Sequence, residues 1–497
     1  MKGLHDMTAS TSSAGPVDSL RYKALGVILL AQLMVVLDAS IVTVAVPSAQ
    51  GDLGISIGDR QWVFTAYTLA FGSLLLLGGR IADYMGRKRM FEIGLVGFAA
   101  ASTLGGVAQN AETLFGARAL QGAFAALLAP AALSLIQVTF TDSQERAKAL
   151  GLYGAIAGGA MSLGLIAGGM LTEWASWRWT MLVNVPIAVV ALIGSRYVVR
   201  ESKAQGDAHY DVAGTIAVTA GLVSLVYGFT QAQSDGWGSG TTLPYLGVGA
   251  VLLLVFFTIE ARSKFPLLPL RLLTDRTRGA TLLAMFLTIA ALFSTFLLLT
   301  FYLQGILGYS ALETGFAYLP YSIGTFVGAA TAGNLVSRLG PMPLMVTGML
   351  LGAAGLVLFA QIGVDSSFVS LILPAEIITS VGLGLAIVAL TSTALRGVDP
   401  ADAGVGGALV NTTQQIGSSL GIAVMNTIAA TATVNYIKDN GVSAQAEGVV
   451  HGFTVAFLVA AAILVVSALV AVLFVRVRRG DVVNKTDQAL VDLSEVI

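Results

Sequence analysis

Apolar runs of membrane-spanning length, separated by short polar segments, fill the chain from about residue 24 to residue 475. A window of about 19 residues, which suits a hydrocarbon core roughly 30 Å thick, identifies these runs. The fourteen runs lie at 24–46, 62–79, 90–109, 113–138, 149–172, 179–197, 212–231, 244–259, 280–304, 315–337, 342–363, 368–395, 404–431 and 452–475. Each run predicts one transmembrane α-helix, and the run at 244–259 is the shortest.

The composition agrees with this pattern. Of the 497 residues, 56% are hydrophobic and 11% are charged, whereas soluble domains have roughly 45–50% and 25%. We therefore predict an all-α polytopic membrane protein that is surrounded by the lipid bilayer. Lys and Arg number 27 and Asp and Glu 28, a balance that does not favour a nucleic-acid partner. With no cysteine, and with none of the 3 histidines inside an apolar run, we expect no metal site and no cofactor.

The positions of the basic residues predict the topology. If the N-terminus is cytoplasmic, 23 of the 27 Lys and Arg residues lie in segments on the cytoplasmic side and 3 lie on the other side. Because positively charged loops remain in the cytoplasm, this distribution predicts that both termini are cytoplasmic in a multi-pass protein of the cell membrane. The first residues are polar and lack the apolar core of a signal peptide, so we expect a disordered tail there.

A short repeat divides the chain into two halves. Gly79 and Gly86 enclose a loop after the second run, and Gly333 and Gly340 enclose a similar loop after the tenth, with the same spacing of seven residues. Duplicated halves are typical of secondary transporters. We predict two pseudo-symmetric six-helix bundles and two additional central-linker helices. The predicted segments are a cytoplasmic tail at 1–23, a bundle at 24–200, the two extra helices with a cytoplasmic linker at 201–278, a bundle at 279–475 and a cytoplasmic tail at 476–497.

Four sequence motifs in the first half carry a resemblance to a known family. They are residues 37–47, the loop 79–89, Arg118-x-x-Gln121-Gly122 and the glycine-rich segment 154–169. Together they resemble the major facilitator superfamily, specifically its fourteen-spanner drug:proton antiporter branch of the multidrug efflux type. Two positions depart from the pattern, because Thr43 stands where asparagine is usual and Leu165 stands where the helix-5 motif has proline.

Three charged residues lie deep in predicted spans and are candidates for proton coupling. Asp38 lies about fourteen residues, roughly 21 Å, into the first run, and Arg118 and Glu376 lie at similar depth. A charge in hydrocarbon is costly without a partner, so we expect Asp38 and Arg118 to pair directly, through Gln121 or through water. Alternatives remain: Asp38 could be a structural acid, and Arg118 could bind only backbone carbonyls. Glu376 could be a second proton site, a group that attracts a cationic substrate, or a structural acid.

The loop residues Gly79, Asp83, Gly86 and Arg87 predict a conformational latch on the cytoplasmic side. Glycines let two helix ends approach closely, Asp83 could pair with a base or cap a helix, and Arg87 could bind the C-terminal carbonyls of another helix. The alternative is a basic loop that only sets the topology.

Small and polar residues supply further candidates. Gly154, Gly158, Gly164 and Gly168 lie on nearly one face of the fifth helix, where another helix could slide or simply pack. Candidates for the wall of a substrate cavity are Tyr67, Gln121, Gln304, Asn411 and Gln415. Such residues also commonly mediate helix packing.

The leading functional hypothesis is proton-coupled export of hydrophobic, cationic or neutral small molecules, such as drugs or antibiotics, by alternating access. The chain has no Gly-x-x-x-x-Gly-Lys-Ser/Thr motif, so the energy would come from the proton gradient. The family resemblance implies that the protein is not an enzyme, that it exchanges a small-molecule substrate for protons and that it works as a monomer. A proton-coupled uptake symporter and a membrane-embedded enzyme remain as alternatives.

Overall fold

The computed structural model describes residues 19–56, 58–140, 143–203, 211–263, 266–268, 270–396 and 403–476. Within these ranges the chain is helical and has no strand. Residues 1–18 and 477–497 of the two predicted tails lie outside them. The first helix begins at Ser19, so the prediction of a disordered tail up to residue 23 is wrong for its last five residues. These residues are held in place because Arg21 pairs with Glu145 at 3.1 Å and the Tyr22 ring contacts Phe140.

The helices of the first half and of the central segment are α1 (Ser19–Leu53), α2 (Trp62–Met85), α3 (Arg87–Gly106), α4 (Ala111–Thr139), α5 (Ser143–Trp174), α6 (Arg178–Leu182), α7 (Asn184–Val198), α8 (Val212–Asp235), α9 (Thr242–Arg262) and α10 (Arg271–Thr274). Those of the second half are α11 (Arg276–Gly305), α12 (Ala311–Ala317), α13 (Leu319–Leu339), α14 (Pro341–Phe359), α15 (Leu373–Ala394), α16 (Ala403–Asn440) and α17 (Gln445–Phe474).

Eleven helical segments of the described chain are long and apolar enough to cross a membrane, so the protein is a multi-pass membrane protein. Each of the fourteen predicted runs overlaps a helix. The runs at 90–109, 149–172 and 315–337 fall in α3, α5 and α13, which are not among the eleven. The count of fourteen spans therefore stays a prediction.

Three breaks interrupt the helices. They lie between α6 and α7, between α12 and α13, and at a π-helical turn, Phe368–Ile372, before α15. A proline follows each break within three residues, namely Pro186, Pro320 and Pro374. Proline lacks the N–H group of a helical hydrogen bond and its ring collides with the preceding turn. The runs at 179–197 and 315–337 therefore each contain a one-residue interruption of the α-helix, and Arg178–Val198 still counts as one of the eleven spans.

The helices pack into two groups. Helices α1–α7 contact one another, as do α11–α17, and α8 and α9 form a pair that reaches both groups through contacts of α8 with α2 and α16. We call these groups the N-terminal and C-terminal bundles. The bundle boundaries predicted at 24–200 and 279–475 stay a prediction.

The two bundles are joined at one end. We call the face at which α1 begins and α17 ends the terminal face, and the opposite face the distal face. Near the distal face, side chains of both bundles share one hydrophobic core, for example Val46 and Phe64 with Leu299 and Phe457. Near the terminal face, the N-terminal bundle has one core and the C-terminal bundle has another. The seam between the bundles is therefore closed at the distal face.

Candidate functional site

A buried ion pair joins α1 and α4 in the N-terminal bundle. Arg118 Nη1 donates to Asp38 Oδ2 at 2.6 Å, and the two side chains are 1% and 0% exposed. The same Nη1 donates to Gln121 Oε1 at 2.8 Å, and Nε donates to the Val63 carbonyl at 2.9 Å. The guanidinium therefore both pairs with the acid and binds a backbone carbonyl, as a buried charge requires.

Asp38 accepts two further hydrogen bonds. Its Oδ1 accepts from Gln121 Nε2 at 3.0 Å and from Asn184 Nδ2 at 2.7 Å. The same two amide nitrogens donate to Ser102 Oγ at 2.5 and 3.0 Å. Three donors thus surround the carboxylate, and each of its two oxygens accepts at least one hydrogen bond. Sequence reasoning anticipated Asp38, Arg118 and Gln121 but missed Ser102 and Asn184.

Tyr67 completes this cluster. Its ring centroid lies 4.5 Å from the Arg118 Cζ atom, in a cation–π contact. The Tyr67 hydroxyl is buried and has no hydrogen-bond partner among the described residues. Tyr67 and Gln121, both proposed for the cavity wall, are thus buried beside the ion pair.

Glu376 is a buried acid in the C-terminal bundle. It lies in the first turn of α15, directly after the π-helical turn, and is 0% exposed. Neither of its carboxyl oxygens has a hydrogen-bond partner in the described part of the chain. Two buried tyrosines of the same bundle, Tyr318 and Tyr321, lie close enough to interact electrostatically with its carboxyl group. A lone carboxylate in such surroundings is strongly disfavoured, so this site suits a neutral carboxylic acid.

The latch residues lie at the end of α2 and the start of α3, at the terminal face. Asp83 and Arg87 form an ion pair at 2.8 Å. Gly86 has φ +114°, which favours glycine, and a Cβ there would lie 2.9 Å from the Glu201 carboxylate. Gly79 faces Pro130 at an ordinary contact distance of 3.5 Å.

Glu201 is a latch contact that sequence reasoning missed. Its carboxylate accepts hydrogen bonds at 3.1 Å from the backbone N–H groups of Lys88 and Arg89, at the N-terminus of α3. Negative charge is stabilising there. The role expected of Arg87, binding a carbonyl at the C-terminal end of another helix, is performed by Lys88, whose Nζ donates to the Arg196 carbonyl at 3.3 Å.

The glycine-rich helix α5 packs directly on the segment of α1 that carries Asp38. A Cβ on Gly168 would lie 2.6 Å from the Ile41 carbonyl oxygen, and one on Gly164 would collide with Ser40. Gly154 and Gly158 also belong to α5, but their surroundings lie outside the described part of the structure. These close contacts fit the packing role of small residues in membrane helices.

The remaining cavity candidates lie between the bundles. Gln304 Nε2 donates to the Val44 carbonyl at 2.9 Å and so connects α11 with α1 near the distal face. Asn411 donates to the Gly407 carbonyl within α16. Gln415 lies opposite Gly72 of α2, where an added Cβ would be 2.8 Å from the Gln415 Cβ.

Arg60 closes the distal seam, and sequence reasoning counted it only as a loop charge. It is 8% exposed. Its Cζ lies 3.5 Å from the centroid of the Phe301 ring, and its Nε donates to Asn426 Oδ1 at 3.3 Å. Arg60 precedes α2, whereas its two partners belong to α11 and α16, so these contacts join the two bundles.

Comparison with known proteins identifies the family. Residues 28–422 match the profile of the Major Facilitator Superfamily. The chain belongs to this superfamily. The predicted resemblance is thereby confirmed.

Several relatives in the superfamily have names that refer to drugs. The chain is 46% identical over 467 residues to the puromycin resistance protein of Streptomyces alboniger, and this alignment covers 93% of the chain and 92% of that protein. It is 38% identical to the cephamycin export protein of Amycolatopsis lactamdurans, over 81% of the chain and 84% of that protein. It is 30% identical to a multidrug transporter of Bacillus subtilis, over 83% of the chain and 76% of that protein.

Several solved transporter structures share the fold. A bacterial homologue of the human lysosomal transporter Spinster, in an inward-facing and occupied conformation, matches with a TM-score of 0.65 and 15% identity over 94% of this chain and 99% of that chain. A peptide transporter in complex with sulfate matches with a TM-score of 0.65 and 15% identity, over 90% of this chain and 94% of that chain.

Proposed function

We propose that this protein exports hydrophobic, cationic or neutral drugs across the cytoplasmic membrane in exchange for protons. Relatives that align with most of the chain are an antibiotic resistance protein, an antibiotic exporter and a multidrug transporter, which supports drug efflux. The observation that carries the proton coupling is the buried pair of Asp38 and Arg118 at 2.6 Å. A titratable acid beside a fixed cation inside a membrane protein is a typical proton relay.

The proposal includes a topology and a conformation. It has fourteen spans, two six-helix bundles with α8 and α9 as additional helices, and both termini in the cytoplasm. The terminal face is then cytoplasmic, and the closed distal seam makes this an inward-facing conformation. The protein works as a monomer without a cofactor, and its energy source is the proton gradient.

The transport cycle follows from the charge of Asp38. In the inward-facing conformation the ionised carboxylate pairs with Arg118 while the drug binds from the cytoplasm. After the bundles rock and the drug leaves on the outside, a proton binds the Asp38 carboxylate. The neutral acid attracts Arg118 less strongly, so the pair separates and the transporter returns to release the proton inside. At the Asp38–Arg118 pair, each step of this cycle is a protonation or a deprotonation of Asp38.

Glu376 is the second proton site in this proposal. It is buried without a cation and its two oxygens have no partner among the described residues. A carboxylate is strongly disfavoured there, so Glu376 holds a proton while the distal seam is closed.

The test uses everted membrane vesicles, a fluorescent lipophilic cation and an imposed gradient with an acidic lumen. The unmodified protein is expected to accumulate the dye in the lumen, and Asp38→Asn to abolish this accumulation, because asparagine keeps the shape but does not titrate. Asp439→Asn, which changes an exposed acid at the end of α16, is the matched control and should accumulate the dye.

Two results would overturn the proposal. Accumulation by Asp38→Asn equal to that of the unmodified protein would place the coupling elsewhere. Movement of the dye in the same direction as protons would indicate uptake by symport.

A further inference from the structure

Asn184 contacts both Asp38 and Ser102 with only one of its two polar atoms. It lies at the break between α6 and α7, is 0% exposed, and donates through Nδ2 to both neighbours at 2.7 and 3.0 Å. Its Oδ1 is buried and has no hydrogen-bond partner among the described residues. A buried amide oxygen in this state costs free energy unless it is used in another state of the protein.

Protonation of Asp38 creates a need for an acceptor. A carboxylic acid has an O–H group that must donate, yet Arg118, Gln121 and Asn184 all present donors to this carboxylate. Gln121 is fixed, because its Oε1 accepts from Arg118 while its Nε2 donates to Asp38 and to Ser102. Ser102 Oγ already accepts two hydrogen bonds. Asn184 Oδ1 is an unused acceptor on a residue that already bonds the acid.

We propose that Asn184 is an amide switch that adapts the site to both protonation states of Asp38, an inference that rests on the proposed proton coupling. Rotation of its amide by about 180° about χ2 exchanges Nδ2 and Oδ1 with little change in shape. Oδ1 then accepts from the Asp38 O–H group and from the Ser102 hydroxyl. The proton stays on Asp38, and no covalent bond of Asn184 changes. Asn184 is thus a positioning residue.

Few other ionisable groups face this site. Arg118 from α4 and Tyr67 from α2 are the charged and titratable side chains in contact with the cluster. The facing stretches of α3, α5, α7 and α11, at 93–106, 154–172, 184–195 and 279–301, contain no Asp, Glu, His, Lys, Arg or Tyr. A change in the Asn184 amide on titration would therefore report Asp38.

Infrared difference spectroscopy on protein with isotope-labelled asparagine side chains tests the switch. The acid-minus-base spectrum of the unmodified protein is expected to contain an asparagine C=O band, because Oδ1 gains hydrogen bonds when Asp38 is protonated. The band should disappear in Asp38→Asn, which removes the titration, and in Asn184→Leu, which removes the amide. Thr180→Val is the matched control, because the buried Thr180 hydroxyl, on the same segment, bonds only to the Trp177 carbonyl.

Transport rates give a second readout. Asn184→Leu should slow proton-driven dye accumulation about tenfold or more, the effect of losing one hydrogen bond to a charged group. Asn184→Ser should restore much of the rate, because a hydroxyl can donate to the carboxylate or accept from the acid.

Each negative result has one meaning. The switch is overturned if the band is absent in the unmodified protein, or if the band persists in Asn184→Leu. The first of these measurements stands even if Asn184→Leu folds poorly, because it does not need that variant. Equal rates for Asn184→Leu and Asn184→Ser would indicate that Asn184 only fills space. If Asp38→Asn still accumulates dye, the proposed function fails; if it does not while the band is absent, only the switch fails.

Discussion

The contact between Arg60 and Phe301 across the distal seam permits a quantitative prediction. The guanidinium is buried and lies 3.5 Å above the ring, and a desolvated cation–π contact of this kind contributes about 2 kcal/mol. Phe301→Leu keeps an apolar side chain but removes the ring, so Arg60 loses the cation–π contact. Because this contact exists only while the seam is closed, the substitution destabilises the closed state alone. Since 1.4 kcal/mol corresponds to a factor of ten, the distal-open population should rise about 30-fold.

Thiol labelling measures this population, because the chain contains no cysteine and an introduced cysteine is therefore its only thiol. Val46→Cys places the thiol in the distal core, where Val46 is 1% exposed. A membrane-impermeant maleimide added from the distal side reacts only when the seam opens, and its rate follows the open population. The expected result is a labelling rate about 30-fold higher in Phe301→Leu.

The control is Phe140→Leu, which removes a buried ring that contacts Tyr22 within the N-terminal bundle, in the core near the terminal face. This change weakens both conformations alike and should leave the labelling rate nearly unchanged. Equal rates for Phe301→Leu and the unmodified protein would refute the reasoning. So would equal increases in Phe301→Leu and Phe140→Leu, because the effect would then reflect loss of aromatic packing rather than of the cation–π contact.

Three further predictions concern the latch and the ion pair. Asp83→Asn breaks the pair with Arg87 and should reduce transport severalfold with little change in equilibrium drug binding, as measured by fluorescence quenching of purified protein. Arg118→Lys keeps the charge but loses the planar fork that bonds Asp38, Gln121 and the Val63 carbonyl, so vesicle accumulation should fall at least tenfold. Gly168→Val forces α5 away from Ile41 and should lower the melting temperature by several degrees, as measured by scanning calorimetry, whereas a smaller change would show that the helices have room to separate.

The sequence predicted the ion pair well because both residues carry a charge in hydrocarbon. A charge at that depth needs a partner, and Asp38 and Arg118 lie at matching depths of their spans. Gln121 followed because it lies three residues from Arg118 on the same helix. Asn184 and Ser102 were missed because an uncharged polar residue in an apolar run is common. The one available signal was Pro186, which follows Asn184 and predicts a break in the helix there.

Arg60 and Glu201 were missed for a different reason. Arg60 was counted among the basic residues of connecting segments, where a solvated side chain is the usual outcome, and Glu201 was not singled out. Their partners lie far along the chain: Arg60 contacts Asn426 and Phe301, and Glu201 caps the first turn of α3. No local pattern indicates contacts that form only after the helices have packed. The same holds for Gln304, whose partner is a backbone carbonyl of the other bundle.

Helix α5 provides a physical connection between Asp38 and the distal seam. Its Gly168 packs against the backbone of Ile41, three residues from Asp38, and its Gly169 and Glu173 meet α12 of the C-terminal bundle at Leu312. An added Cβ at either glycine would lie within 2.7 Å of a neighbouring backbone atom, so these contacts have no spare volume and transmit displacement. If α1 shifts in the proposed cycle when protonation weakens the pair with Arg118, α5 must move with it. The contact of α5 with α12 lies at the distal seam, so the proposed change in charge at Asp38 would reach the interface with the other bundle through α5.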